Sequence, residues 1–292
     1  MRSDAADFEL VAPPSLPAAL ALLGEKPQRW LPIAGGTDVM VQYAAGKLPA
    51  RKLMSIWNLP ELRKLDLSEN EIRIGAGCTY TDLRRNKAVA GELPLLASAA
   101  GWTGGIANQN RGTIGGNIVN ASPAADSLPA LLAYDADLIL ASARGERRVR
   151  YRSFHTAYKK MELAPDELVR AVCIPRKYAE YVSYSRKVGT RNAQAIAKVC
   201  VAALGRLENG TVVDARIAMG SVAPVPLRLT ETEHILIGRR IEPALIVAAR
   251  KAAVAEISPL DDLRSTAKYR SEVASNLVAE FLERLGISGR KS

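Results

Sequence analysis

Two glycine pairs far apart in the chain, Gly35-Gly36 and Gly115-Gly116, constrain this 292-residue sequence more than any other feature. The first lies in Ala34-Gly35-Gly36-Thr37-Asp38, between an apolar strand-like run at 30–34 and a segment of helical composition at 39–46 that ends on Gly46. The second lies in Thr113-Ile114-Gly115-Gly116-Asn117, within a glycine-, asparagine- and serine-rich loop over 110–126 that has apolar elements on both sides. Without a Cβ, glycine lets backbone amides approach a diphosphate, and a turn that opens a helix aims N–H groups and the positive end of the dipole at it. One such turn alone is more often only a tight connection. Neither matches G-x-G-x-x-G or G-x-x-x-x-G-K-[ST], so the single-loop solutions for dinucleotides and nucleoside triphosphates are not supported. Two separated turns embracing one ligand would be a different solution.

The rest of the chain supplies alternating elements. Ser15 caps a short helix with Pro17 in its first turn and Gly24 as its stop. Strands follow at 52–57 and 71–75, a Thr79-capped helix entry, a helix at 93–100 and another at 127–132, before which Asp126 reads as the N-cap. Strands at 136–142 and 147–151 join at Gly145, and a strand at 168–174 ends at Pro175. Beyond a polar break, strands at 181–187, 195–207 and 211–219, with the Asn209-Gly210 hairpin signal, precede helices at Pro243–Glu256 and 266–285. The pattern predicts α/β units followed by a small antiparallel α+β domain.

Composition removes other classes. The net charge of +10 raises phosphate-backbone binding. Its densest cluster, Arg144, Arg147, Arg148, Arg150 and Arg152, sits on a hairpin, and at 5% aromatics no stacking platforms accompany it. A solvated strand face, or a dock for an acidic partner subunit, is the expected use, not nucleic acid. Cys78, Cys173 and Cys200 form no C-x-x-C pair, and His155 and His234 lie in no ligand or nucleophile motif. No disulfide framework, metal site, iron–sulfur site or Ser-His-Asp apparatus is expected. No apolar run approaches the ~20 residues of a membrane span. The start Met1-Arg2-Ser3-Asp4-Ala5-Ala6-Asp7 has no apolar signal core, which places the chain in the cytoplasm as an expectation.

At the two glycine turns the sequence becomes recognisable. Ile33-Ala34-Gly35-Gly36-Thr37-Asp38, together with Gly112-Thr113-Ile114-Gly115-Gly116-Asn117-Ile118 and Ala121-Ser122-Pro123-Ala124-Ala125-Asp126, resembles the FAD-binding (medium) subunits of the xanthine dehydrogenase and carbon monoxide dehydrogenase family of molybdenum hydroxylases. The resemblance continues through Glu167-Leu168-Val169, Tyr184-Ser185-Arg186-Lys187, Gly220-Ser221-Val222-Ala223-Pro224 and Ser265-Thr266-Ala267-x-Tyr269-Arg270, covering nearly the whole chain. It implies an α+β fold: a two-lobed FAD-binding domain of the vanillyl-alcohol-oxidase/para-cresol-methylhydroxylase type over 1–177, with lobes about 1–57 and 58–177. A small antiparallel α+β domain over 178–292 follows, as in carbon monoxide dehydrogenase flavoproteins.

By position, the resemblance implies that Ile33, Ala34, Gly35, Gly36, Thr37, Asp38, Val39 and Met40 wrap the FAD diphosphate. Thr113, Ile114, Gly115, Gly116 and Asn117 form the second loop on the cofactor, and Asp126 bonds its sugar portion. Thr103 and Val169 flank the flavin ring. Lys187 lies on its pyrimidine side, tuning the isoalloxazine, since a cation there stabilises charge on the reduced ring. By itself Lys187 reads as a surface lysine. The wider superfamily sometimes attaches FAD covalently through a histidine in the first loop; here that loop has Thr37 and neither histidine is nearby, so noncovalent FAD is implied. No cysteine-rich insertion of the benzoyl-CoA-reductase branch is present, so no cluster is expected in this chain.

The implied function is a flavin relay, with no catalytic residue beyond the flavin. Electrons from [2Fe-2S] clusters on a partner subunit pass through FAD to NAD, quinone or dioxygen. Molybdopterin lies on a large partner subunit, the assembly is a dimer of heterotrimers, and Asn120-Ala121-Ser122-Pro123 leans towards a purine or N-heterocycle substrate. The alternative is a stand-alone FAD-dependent oxidase of the vanillyl-alcohol-oxidase type, for which the C-terminal third is small and lacks an acid–base cluster.

Overall fold

A computed structural model describes residues 5–191 and 194–288. Most of the N-terminal stretch read above for a signal core, residues 1–4, lies outside them.

The first lobe is a small parallel sheet. Strands β1 (Glu9–Val11), β2 (Leu31–Ile33) and β3 (Lys52–Ser55) are ordered β1-β3-β2, all parallel, with helices α1 (Leu16–Glu25) and α2 (Val39–Ala44) in the connections. Ser15 caps α1 by accepting from the Ala18 amide at 3.3 Å. Leu16, Ala19, Leu20 and Leu23 form its buried face, packed with Trp30, Met54, Ala141 and Leu168. Burial of each leucine contributes roughly 1.5–3 kcal/mol. Gly24 does not stop the helix, which runs on to Glu25 because Gly24 does not take the left-handed backbone of a helix stop.

The second lobe holds an antiparallel sheet in the order β4-β5-β10-β6-β7: β4 (Leu65–Leu67), β5 (Glu71–Gly75), β6 (Asp137–Ser142), β7 (Gly145–Arg150) and β10 (Leu168–Pro175). Between β5 and β6 run six helices: α3 (Tyr80–Arg85), α4 (Lys87–Glu92), α5 (Pro94–Trp102), α6 (Ile106–Arg111), α7 (Ile114–Asn120) and α8 (Leu128–Ala133). The hairpin β8 (His155–Ala157) and β9 (Lys160–Met161) follows β7. Strand β7 is an edge, and its arginines keep that edge charged, a common protection against strand addition. Most of the basic cluster is paired within the chain: Arg144 with Asp166, Arg147 with Glu162 and Glu167, Arg148 with Glu71 and Asp137. The stretch read as a loop over 110–126 is in part helical, because Thr113 caps α7.

The last module is a four-stranded antiparallel sheet, β11 (Val182–Val188), β12 (Val199–Glu208), β13 (Thr211–Gly220) and β14 (Leu227–Arg228), with helices α9 (Thr230–Leu236), α10 (Pro243–Glu256) and α11 (Ala267–Ser288). Asn209 and Gly210 both take positive φ, 52° and 76°, the two-residue turn whose twist suits a hairpin. Period-two alternation divides β12 between two cores. Val199, Val201 and Ala203 face the helices α9–α11, while Ala202 and Leu204, with Ala218 of β13, complete the core of the second lobe. Among the described residues no helix is long and apolar enough to cross a membrane.

Candidate cofactor-binding site

At the first glycine turn, Gly36 has φ +79°, and a Cβ on Gly35 would overlap the carbonyl oxygen of Arg111. Both positions therefore require glycine, one for its backbone and one for the approach of the second lobe. Among the described residues, no backbone hydrogen bond engages the amides of Gly36, Thr37, Asp38 or Val39. Thr37, Asp38 and Met40 are exposed, and Ile33, Ala34 and Val39 are half-buried. This is a run of free donors on an open turn.

The second turn works differently. The Thr113 Oγ1 accepts from the Gly116 amide at 3.1 Å. The Ile114 amide donates to Cys78 O at 3.0 Å, that of Gly115 to Ala76 O at 2.8 Å, and that of Asn117 to Thr113 O at 3.0 Å. The first-turn amides of α7 are thus engaged within the protein, contrary to the expectation that this turn presents free N–H groups. The physical reason is packing: a Cβ on Gly115 would lie 2.6 Å from that of Ala76, so glycine here serves to dock α7 on the end of β5. Gly116 is exposed, and a Cβ there meets only the Thr113 hydroxyl, at 2.9 Å.

From α7 a polar chain leads inwards. The Ser127 hydroxyl donates to Asn117 Oδ1 at 2.7 Å, which leaves Tyr80 as donor in its 3.3 Å bond with Ser127. Burial raises the Tyr80 phenol above its ordinary range, consistent with a permanent donor. Asp126 is not the N-cap of α8. That position belongs to Ser127, because the Asp126 carboxylate turns to another partner: Oδ2 accepts from Lys187 Nζ on β11 at 2.6 Å. Lys187 also donates to Trp102 O, at the end of α5, at 3.1 Å. Their side chains are 8% and 11% exposed, so Lys187 is no surface lysine. Burial raises the Asp126 carboxyl from 3.8 to about 6, with Lys187 opposing the rise.

The structure thus joins Asp126, Lys187 and the C-terminal end of α5. Thr103 follows directly, its hydroxyl donating to Ala99 O at 2.9 Å. Val169 lies buried in the core of the second lobe, at a register shift in β10.

Two features test whether these residues suit a flavin dinucleotide. One is the run of free amides at 36–39. The other is Asp126 Oδ1, buried and without a hydrogen-bond partner, an arrangement that costs about 1–3 kcal/mol unless a donor arrives. A ligand with a diphosphate and sugar hydroxyls satisfies both.

Sequence reasoning missed the residues that hold these loops. Arg111 donates through Nε to Gly35 O at 3.2 Å, and its guanidinium lies 3.9 Å from the centre of the Trp57 ring. From the last module, the Ser221 amide donates to Pro123 O at 2.8 Å, and Arg270 donates to Ser221 O at 3.0 Å and Lys198 O at 2.7 Å. The Ser221 and Arg270 motifs were visible in the sequence, but contacts over such separations carry no local signal. Among the described residues, no three His, Cys, Asp or Glu side chains gather as a metal site, and all three cysteines are buried.

Comparison with known proteins agrees with this geometry. Residues 6–177 match the family profile described as the FAD binding domain in molybdopterin dehydrogenase, and residues 184–285 match the CO dehydrogenase flavoprotein C-terminal domain. The chain is 32% identical to the xanthine dehydrogenase FAD-binding subunit of Escherichia coli O157:H7, over 95% of this chain and 96% of that one. It is 30% identical to the carbon monoxide dehydrogenase medium chain of Hydrogenophaga pseudoflava, over 94% and 96%. The solved carbon monoxide dehydrogenase of Hydrogenophaga pseudoflava that lacks the Mo-pyranopterin moiety superposes with a TM-score of 0.90 at 31% identity, covering 94% of this chain and 95% of that one.

Proposed function

This chain belongs to the FAD-binding subunits of the molybdenum hydroxylase family, and from that premise we propose that it is the flavin relay of a multi-subunit dehydrogenase. Its electrons come from [2Fe-2S] clusters on one partner subunit, a large molybdopterin-binding subunit oxidises the substrate, and the acceptor is NAD, quinone or dioxygen. The assembly is a cytoplasmic dimer of heterotrimers. The form Asn120-Ala121-Ser122-Pro123 supports a purine or N-heterocycle substrate. Within the chain, residues 1–177 form the FAD-binding domain and 178–292 the C-terminal domain.

The observation that carries the cofactor assignment is the buried, unpartnered Oδ1 of Asp126, in the segment that follows the second glycine turn. Ile33, Ala34, Gly35, Gly36, Thr37, Asp38, Val39 and Met40 wrap the diphosphate, with the free amides of Gly36, Thr37, Asp38 and Val39 donating to it. Gly116 leaves the second turn open, and Thr113, Ile114, Gly115 and Asn117 fix its shape. Asp126 accepts a sugar hydroxyl, Thr103 and Val169 border the ring, and Lys187 keeps Asp126 ionised while placing a cation near the ring. When bound, FAD supplies the exchange between one-electron and two-electron transfer.

Native isolation tests this reading. The complex is expected to release one FAD per copy of this chain on denaturation and to carry iron and molybdenum on co-purifying chains. Absence of flavin from the native complex, or flavin that stays covalently attached, would sink it.

A further inference from the structure

We propose that Arg111 is a positioning residue that locks the two FAD-binding lobes together at the point where the glycine turns approach, so that the gap between them is set before the cofactor arrives. The inference rests on the FAD reading above and adds a device to it. Three observations on different atoms converge on this residue. Its carbonyl oxygen occupies the space where a Gly35 Cβ would be. Its Nε donates to Gly35 O at 3.2 Å. Its guanidinium lies 3.9 Å from the centre of the Trp57 ring, just beyond β3 in the first lobe. A second guanidinium, that of Arg63, lies 4.7 Å from the same ring centre and is held by Asp82 at 3.2 Å.

Trp57 is thereby tied to the second lobe by two cations, and Gly35 by a backbone contact and a side-chain bond. Arg111 is two residues before Thr113, so holding Arg111 also fixes the start of α7. The chemistry demands arginine. Its planar fork stacks on an indole and still directs Nε–H at a carbonyl, which a lysine ammonium cannot do together. A ligand that spans two lobes binds more weakly when it must also order their separation, so the lock acts through pre-organisation.

A double-mutant cycle on the full chain, stripped of flavin and titrated with FAD by quenching of flavin fluorescence, tests this. Arg111→Met and Trp57→Leu are each expected to weaken FAD binding by about tenfold. The double variant should be no weaker than either single variant by more than about threefold, because both remove one unit. Trp57→Phe, which keeps a ring for the guanidinium, should bind within about threefold of wild type, whereas Arg111→Lys should behave like Arg111→Met. Additive losses approaching about a hundredfold in the double variant would overturn the proposal, as would a silent Trp57→Leu, since Arg111 would then act independently of the lobe contact. Failure of the wild-type chain itself to bind FAD is a different result: it overturns the cofactor reading, and the lock as a cofactor device with it.

Discussion

Asp126 combines three properties seldom found together: it is buried, it is paired with a cation, and one of its oxygens has no partner. Burial favours the protonated form, and Lys187 favours the ionised one. With the carboxyl at about 6 in the fold against an ordinary 3.8, the native state binds more protons between those values. This group therefore adds stability to the cofactor-free chain as pH falls from about 6 towards 3.8, and that contribution is lost as pH rises through about 6. With Asp126 accepting a sugar hydroxyl of FAD, as proposed, cofactor binding runs the other way, because a hydroxyl donates best to the carboxylate. FAD affinity should fall by roughly threefold to tenfold as pH is lowered through about 6, and Asp126→Asn should bind more weakly at pH 8 with a flat profile. Titrations from pH 5 to 8 decide it. An unchanged slope in the asparagine variant would remove Asp126 from the cofactor contacts.

The helix α7 shows why adjacent glycines need not share a role. Gly115 faces the end of β5 and Gly116 faces out. A methyl at Gly115 must push Ala76 aside, and overpacking of this kind costs about 1–3 kcal/mol. Gly115→Ala is therefore expected to lower the unfolding midpoint by several degrees, whereas Gly116→Val, which meets only the Thr113 capping hydroxyl, should lower the midpoint less and reduce FAD occupancy of the purified chain severalfold. Calorimetry and flavin absorbance, measured on both variants, separate the two effects. The opposite pattern would mean that the open side of α7 has been misidentified. In the proposed site the second turn contributes shape, and the first contributes the free amides.

Across the whole molecule, the last module is built into the flavin domain and not merely attached to it. Its sheet completes the core of the second lobe with Ala202, Leu204 and Ala218, and β11 delivers Lys187 to Asp126. Arg270 on α11 closes the junction: 4% exposed, it holds the carbonyls of Lys198 and Ser221, and the Ser221 amide holds Pro123 in the segment leading to Asp126. Leaving these buried carbonyls without their donor costs about 1–3 kcal/mol. Arg270→Met should lower the unfolding midpoint of the whole chain and weaken FAD binding together, although it is assigned no contact with the cofactor. Equal FAD affinity in a destabilised variant would confine Arg270 to the last module.

Much of this was legible in the sequence because its causes are local. Ser15 and Thr79 cap helices through their own hydroxyls, Asn209-Gly210 adopts the hairpin turn its residues prefer, and Pro243–Glu256 begins with a proline suited to a first turn. Both glycine turns and Asp126 stood in motifs long enough to be recognised. Strands β1 and β4 did not stand out, since three mostly exposed residues hold too little apolar pattern to read, whereas the equally short β2 lies in an apolar run. The tertiary structure alone decided that Asp126 pairs with Lys187 instead of capping α8, and that the amides of the second turn face inwards. It also decided that Arg111 reaches Gly35 and Trp57. Each of these joins residues distant in the chain, where packing and burial set the partner and local preference has no bearing.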